Sequence, residues 1–544
     1  VTYKTEIDIP KMVATLSLPL EIAALVGNLS NRFKALRTIT QLGIFGSVAG
    51  TEWVCPANDL STFLGMLMER VYFVKSTPQS KSVAFSGKCQ KFSQVPQPTT
   101  CYMTRLSKER NFLHHHVASV APQSLSNLEF VSRYRGQKRR LYESAVKSLE
   151  EIPINRSDAR IRAFVKQEPV AAVSGGMKPP RGIHPRSLRY NVEFGKHFCP
   201  LEKPLYEGIK KLFRDDLPVV LKGFNSHDTA AIIAEKFHRH TNPVAIGLDA
   251  SRFDQHVSVP ALRFEHSIYK RIVKDPHFAK LCDWQLVNAA QAWLSDGKVR
   301  YKIKGGRMSG DMNTSTGNIL LMTCLLHAYL REANLLKYVS VINNGDDSVL
   351  FLSHEHLHKL ENLSSWFLEF GFEMTIEPPV YRLECLEFCQ QHMLYDGTEW
   401  FQVPKLKNLN KCLLGCKNFP PDELPYFAKN RAKCFLSTSG GCPIFDSVFR
   451  RLDYQVDEQR FSKLEKQGTY FHSNEYTANW YAKELECSRF DKSVTDFARV
   501  SFFSAFGITP DEQVAVEKEV GSTPNEVKLK LIGARKVEGK LLYV

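Results

Sequence analysis

The alternation of apolar and polar positions predicts a mixed α and β chain whose clearest elements lie in its middle. The run PVAIGLD (243–249) is apolar and β-branched enough for a buried strand, and it carries a charge at its C-terminal end. The stretch NTSTGNILLMTCLLHAYLREAN (313–334) predicts a long helix, entered from the glycine-bearing loop GGRMSGDM (305–312) with Asn313 or Thr314 near its N-cap. Beyond it, YVSVINN (338–344) and SVLFL (348–352) predict two strands joined by an NGDD turn.

The flanks are less regular. Residues 1 to about 130 mix short apolar runs with Ser, Thr and Pro clusters such as SQVPQPTT (93–100), without sustained periodicity. Two Pro- and Gly-rich segments, KQEPVAAVSGGMKPPRGIHPR (166–186) and DLPVVLKGFNS (216–226), predict loops and short strands. From about Gln402 onward, helix-like charged stretches alternate with short glycine breaks.

Length and charge narrow the class. A chain of 544 residues needs several subdomains around a large core. Its 72 Lys and Arg against 57 Asp and Glu leave a net charge of +15, which favours a polyanionic partner through phosphate neutralisation. The excess is concentrated: Val131 to Tyr190 holds 14 basic and 5 acidic residues, so nine of the fifteen net charges fall there. These charges are interleaved with Tyr134, Tyr142, Phe164 and Tyr190, which suits a nucleic-acid path.

Thirteen cysteines are scattered as singletons with no zinc-finger spacing, in a chain far larger than disulfide-stapled secreted domains, and a reducing compartment fits best. The run His114-His115-His116 has no partner pair at ligand spacing and is expected in a surface loop. No uninterrupted apolar run reaches the roughly 18 to 20 residues of a membrane span; the best N-terminal stretch, Met12 to Leu29, contains Pro19 and Glu21. The chain starts at Val1 without a signal-peptide pattern and is expected to be a portion of something longer.

The candidate chemistry lies in the carboxylates. On its own the doubled aspartate Asp346-Asp347 behind Gly345 reads as an ordinary solvated turn. Asp249, at the end of GLD, changes that reading if the two segments meet in space, because paired carboxylates on strand ends suit Mg2+, a hard cation that keeps waters and shares substrate phosphates. Two such ions can activate an attacking hydroxyl and stabilise a leaving pyrophosphate oxygen. Clustered aspartates repel one another and need a metal or a basic neighbour to stay ionised.

The runs GLDASRFDQHVS (247–258), GGRMSGDMNTSTGN (305–318) and NGDDSVLF (344–351), in this order, resemble motifs A, B and C of viral RNA-dependent RNA polymerases, most of all those of tombusvirus-like positive-strand RNA viruses of plants. Upstream, AFVKQEP and PPRGIHPRSLRYNVEFGKHFCPLE resemble the family's motif F and the segment immediately C-terminal to it, and LECLEFCQ (383–390) is similar to motif E. Recognisable motifs cover residues 160 to 390.

The resemblance implies an α+β right hand of fingers, palm and thumb, with an antiparallel palm sheet flanked by helices. Its expected parts are an N-terminal region (1–130) as a candidate bridge between fingers and thumb, fingers with motif F (131–240), palm with motif A (241–262), a fingers insertion (263–304), palm with motifs B to E (305–400), and thumb with the C-terminal region (401–544). The implied activity is RNA-directed RNA polymerisation from ribonucleoside triphosphates by two-metal transfer, with pyrophosphate released. The implied cofactor is two Mg2+ ions, with Mn2+ able to substitute. Implied partners are template and nascent RNA, nucleotides, a viral auxiliary replication protein and host factors. The expected location is the host cytoplasm at membrane-associated replication complexes, with indirect membrane contact.

Carried over residue by residue, the resemblance makes Asp249 and Asp346 the metal ligands, with Asp347 in support. Asp254 would face the incoming sugar; Thr314 and Asn318, one helical turn apart, would join it around the ribose 2'-OH, the group that separates RNA from DNA precursors. Ser309 and Gly310 would allow close approach to substrate or template. Lys166, Arg181 and Arg186 would neutralise the triphosphate and leaving pyrophosphate. Cys389 and Gln390 would lie by the primer or nascent strand.

One departure stands out: where related polymerases often carry a motif D lysine, in FEMTIEPP, this chain has Thr375, so Arg382 or water is left as the proton donor. Two other readings compete: a reverse transcriptase, disfavoured by Asn344 and by the Asp254 and Asn318 pair, and a catalytically silent RNA-binding replication subunit.

Overall fold

A computed structural model describes residues 5–8, 35–37, 40–41, 52–75, 92–120, 122–168, 170–172, 179–412, 414–415, 419–466, 471, 484–485 and 488–522. Its centre is a four-stranded antiparallel sheet. The elements that build it are helix α1 (Ser226–His238), strand β1 (Pro243–Ala250), helices α2 (Val259–Val273) and α3 (Thr314–Glu332), and strands β2 (Val339–Asn343), β3 (Asp347–Ser353) and β4 (Met374–Ile376). The strand order is β2-β3-β1-β4.

Alternation along the strands assigns each sheet face to a different core. Val244, Ile246, Leu248, Leu350 and Leu352 pack with Leu262, Phe264 and Ile268 of α2 and with the buried length of α3. Residues of opposite parity, Ala245, Ile342, Val349 and Phe351, pack on Ala230, Ile233 and Phe237 of α1 and on Phe388 and Met393. Burial on both faces is why PVAIGLD reads as a continuous apolar run rather than an alternating one. The expected strands, turn and long helix are all present.

A second sheet joins Ile161–Arg162, Val287–Trp293, Gly297–Lys304 and Thr5–Asp8. Its core includes Ile161, Val165, Ala292 and Tyr301, and also Phe63, Leu64 and Leu67 from the N-terminal region. C-terminal helices including Leu424–Ser439 and Asp496–Phe506 form a separate core around Phe427, Phe445 and Phe502. Thr40–Gln41 pairs with Leu414–Gly415, tying the N-terminal region to that part of the chain.

The histidine run departs from expectation. Residues 114–116 belong to a helix, Ser107–Val120, not to a loop. Leu113 and Val117 are fully buried on its inner face, and the helix lies close against the neighbouring Glu202–Leu212 at Gly208. Among the described residues no helix is long and apolar enough to cross a membrane.

Candidate active site

β1 and β3 run antiparallel in a register that pairs Leu248 with Ser348 and Asp249 with Asp347. On its other side Asp249 pairs with Thr375 of β4. By strand parity Asp249 and Asp347 share the face of Gly247 and Val349. The turn between β2 and β3 is held from below by Asn343, whose buried amide donates to the Gly345 carbonyl at 2.7 Å and the Ser348 hydroxyl at 2.8 Å, while its Oδ1 accepts from Gly345 N–H at 3.1 Å. Gly345 has φ +98°, a conformation that a side chain would strain, and it lifts Asp346 to the tip.

The carboxylates burden one another. Burial, and then the Asp249 charge, raise the proton affinity of Asp346 against a pull from Arg181. Asp347 is pushed up to about 6 by burial first, then by Asp346 and Asp249. Glu377 adds to this group: it is raised by burial and by Asp249, and its carboxylate lies over β1 where a Cβ on Gly247 would collide with it. Solvent reaches Asp249 and Asp346, although protein surrounds Asp346.

This donor set of hard oxygens, in which burial and neighbouring charges raise the proton affinity of Asp346, Asp347 and Glu377, fits a divalent cation. Among the described residues no three His, Cys, Asp or Glu side chains could hold a metal by themselves. A cation here would therefore take its remaining ligands from substrate phosphates and water, as Mg2+ does.

Beneath the turn, the strands Glu387–Phe388 and Gln391–Tyr395 are joined by Cys389 and Gln390, both at positive φ (51° and 65°), the geometry of a tight two-residue hairpin. It brings the Cys389 thiol to the acidic face, where Asn344 Nδ2 donates to it at 3.3 Å and where burial, and then Asp347, push its proton affinity far up. Gln390 Nε2 donates to Glu387 Oε1 at 3.4 Å.

Lys166 and Arg181 stand together. They flank the paired strands Phe164–Val165 and Gly182–Ile183, Lys166 N–H donates to the Arg181 carbonyl at 2.7 Å, and both side chains close on Glu168, at 3.0 Å and 2.5 Å. Arg181 is over half exposed, its guanidinium is turned to Glu168, and its proton is held more firmly first by Glu168 and, more weakly, by the Asp346 charge. Arg70 and Arg252 crowd the same region, and burial followed by the charges of Arg252 and Arg181 lowers Arg70 to about 10.

Asp254 lies beside this centre. Asn318 Nδ2 donates to its Oδ1 at 2.8 Å, and burial raises its carboxyl to about 6.

Four expected residues are engaged elsewhere. Arg186 is fully buried in a bidentate pair with Asp311 (2.5 and 3.0 Å) and also donates to the Ala159 carbonyl and Asn288, so it is withdrawn from phosphate neutralisation. Thr314 donates to the carbonyls of Met308 and Asp311, both at 2.8 Å, and closes its own helix entry instead of joining Asp254. The Ser309 hydroxyl bridges His184 N–H and the Gly182 carbonyl, each at 3.2 Å. Gly310 gives close approach, but to Pro185: a Cβ there would stand 2.6 Å from Pro185 Cα. Both residues therefore bind the 305–312 loop to the 182–186 segment. Thr375, opposite Asp249 in the ladder, carries no charge; a basic side chain that acts on Glu377 is Lys405, paired with Glu387.

Local sequence pattern did not single out Glu168, Asn343, Glu377 or Arg70. Glu168 and Glu377 lie inside the runs AFVKQEP and FEMTIEPP, yet only spatial neighbours distinguish them from solvated charges.

The family model described as viral RNA dependent RNA polymerase matches residues 31–528. The RNA-directed RNA polymerase of Maize chlorotic mottle virus is 37% identical over 457 residues, covering 83% of this chain and 45% of that protein. The protein of the same name from Pothos latent virus is 37% identical over 407 residues, 74% of this chain and 52% of that one. That of Turnip crinkle virus is 34% identical over 482 residues, 87% of this chain and 59% of that one. The chain spans about half the length of the curated relatives it matches.

Proposed function

This chain belongs to the viral RNA-dependent RNA polymerase family, and from that premise we propose that it copies viral genomic RNA from ribonucleoside triphosphates by two-metal nucleotidyl transfer, releasing pyrophosphate. The observation that carries the reading is the register that puts Asp249 opposite Asp347, next to Asp346.

In this reading Asp249 and Asp346 hold two Mg2+ ions, or Mn2+, with Asp347 beside them; once bound, the ions supply Lewis-acid activation of the attacking hydroxyl and stabilise the leaving oxygen. Lys166 and Arg181 receive the triphosphate, exchanging part of their hold on Glu168 for phosphate oxygens. Asp254 keeps one oxygen on Asn318 and offers the other to the ribose 2'-OH, so a deoxynucleotide leaves a buried acceptor unpaired. The Cys389-Gln390 hairpin supports the nascent strand from below the carboxylates.

A right-hand architecture is part of the same proposal, with palm at 241–262 and 305–400, fingers at 131–240 and 263–304, and thumb and C-terminal region at 401–544. The central antiparallel sheet, the sheet containing Val287–Trp293, and the separate C-terminal core support this division. The pairing of Thr40–Gln41 with Leu414–Gly415 supports a bridging role for residues 1–130. Template and nascent RNA, a viral auxiliary protein and host factors are the proposed partners, in cytoplasmic replication complexes that reach membranes indirectly.

The test is primer-independent RNA synthesis on a defined template with Mg2+, comparing wild type with Asp346→Ala. Ribonucleotide incorporation that disappears in the variant, with RNA binding kept, supports the reading. Equal use of deoxynucleotides by wild type would overturn it, and unchanged synthesis by the variant would leave an RNA-binding subunit as the better description.

A further inference from the structure

We infer that Arg307 is a positioning residue for sugar discrimination, which it exerts by fixing the amide of Asn318; this rests on the reading of Asp254 and Asn318 as the ribose-sensing pair. An asparagine amide has two nearly isosteric orientations that exchange donor for acceptor. Here Arg307 Nε donates to Asn318 Oδ1 at 3.0 Å while Asn318 Nδ2 donates to Asp254 Oδ1 at 2.8 Å. A guanidinium has only donors, so the opposite orientation would set NH2 against the guanidinium and oxygen against the carboxylate. The Arg307 backbone N–H also donates to the Asp254 carbonyl at 2.8 Å, so one residue holds both members of the pair.

Arg307 is itself held. Its Nη1 and Nη2 fork onto the two oxygens of Glu265 on α2, Nη1 at 3.1 Å, and the two side chains are 1% and 0% exposed. Asn313 donates to Glu265 Oε1 at 2.8 Å. The pair lies flat against the first turn of α3 at Gly317, where a Cβ would come within 2.6 Å of both Arg307 Nη2 and Glu265 Oε1. Two buried charges carry a desolvation cost that apolar side chains of similar volume would avoid. Orienting the amide is something those apolar side chains could not do.

The experiment compares incorporation efficiency for a ribonucleotide and its 2'-deoxy analogue in wild type, Asn318→Ala, the double variant Glu265→Leu/Arg307→Met, and the triple combination. Replacing both charges keeps volume and removes the unpaired-charge penalty. The ribose preference should fall about two- to tenfold in the double variant, the value of one lost hydrogen bond. The Asn318→Ala change should then add nothing when combined with it, the non-additivity expected of one unit. Should the double variant fail to fold, Arg307→Lys, which keeps a cation beside Glu265 but has no Nε donor, decides the question by the same ratio. A wild-type ratio in either folded Arg307 variant, with Asn318→Ala lowering it, overturns the role of Arg307 alone. An unchanged ratio in Asn318→Ala overturns both this inference and the sugar-sensing reading beneath it.

Discussion

Asp249 and Asp347 are register partners on neighbouring antiparallel strands, so their carboxylates project from one face at the same level, with Asp346 next in the turn. The ladder keeps these two side chains neighbours. Beyond burial, the charges of Asp346 and Asp249 raise the proton affinity of Asp347, a repulsion that the proposed cation would relieve.

Mg2+ should raise the thermal unfolding midpoint of the wild-type protein, since a ligand at a hundredfold excess over Kd adds about 2.7 kcal/mol to the folded state. Asp346→Asn removes one of the repelling charges. Its midpoint in EDTA should equal or exceed that of wild type, and its response to Mg2+ should shrink. Midpoints measured with and without Mg2+ check both parts, and an undiminished response in the variant would take Asp346 out of cation binding.

Asp249→Asn and Asp346→Asn should each slow nucleotidyl transfer by at least about a thousandfold, roughly 4 kcal/mol of barrier. Asp347→Asn, which changes a supporting neighbour, should cost less. Single-turnover incorporation on a fixed template measures the order, and RNA affinity, measured alongside, should stay within about threefold because the basic face is untouched.

Arg181 and Arg186 should separate cleanly. Arg186→Met strands Asp311 as a buried, unpaired charge and should cost about 3–5 kcal/mol of stability. Arg181→Ala removes an exposed group, so its midpoint should barely move. Its KM for nucleotide should instead rise about tenfold, the value of one charge-assisted contact to phosphate. Denaturant titration and steady-state kinetics on both variants test the contrast.

The Asp254 carboxyl, raised to about 6 by burial, links stability to pH. Below its unfolded pKa near 3.8 the group is protonated in both states and its contribution is fully present. As pH rises through the folded value near 6, the unfolded chain has already ionised while the folded one resists, and that contribution is lost. The stability of Asp254→Asn relative to wild type should therefore increase from pH 4 to pH 7, on the order of 2 kcal/mol. Parallel unfolding curves in EDTA across that range measure it, and a flat difference would mean that Asp254 titrates as an ordinary surface carboxyl.

The central strands, the long helix and the NGDD turn were legible in the sequence because each depends on nearest neighbours along the chain: apolar runs, N-cap chemistry and Asn-Gly turn preference. The same local order placed Asp249 at a strand end and Asp346 at a turn tip. The helix carrying His114 escaped notice because its periodicity is weak and its burial comes from a helix much later in the chain.

Sequence alone thus determined that Asp249 ends a strand and that Asp346 and Asp347 sit at a turn, but not that Glu377 joins them. Tertiary structure decided which polar side chains are free to act beside them. Arg186 and Arg181 stand five positions apart in one basic segment, yet the partner that removes Arg186 from the site, Asp311, lies 125 residues away. Thr314 and Asn318 share a helical face, yet only Asn318 reaches Asp254, because Thr314 closes on the carbonyls before the helix. Arg307 looks like any loop cation until folding sets Glu265, 42 residues earlier, against it. Whether a charge is solvated, paired or aimed is settled by contacts distant in sequence, and local patterns carry no record of them.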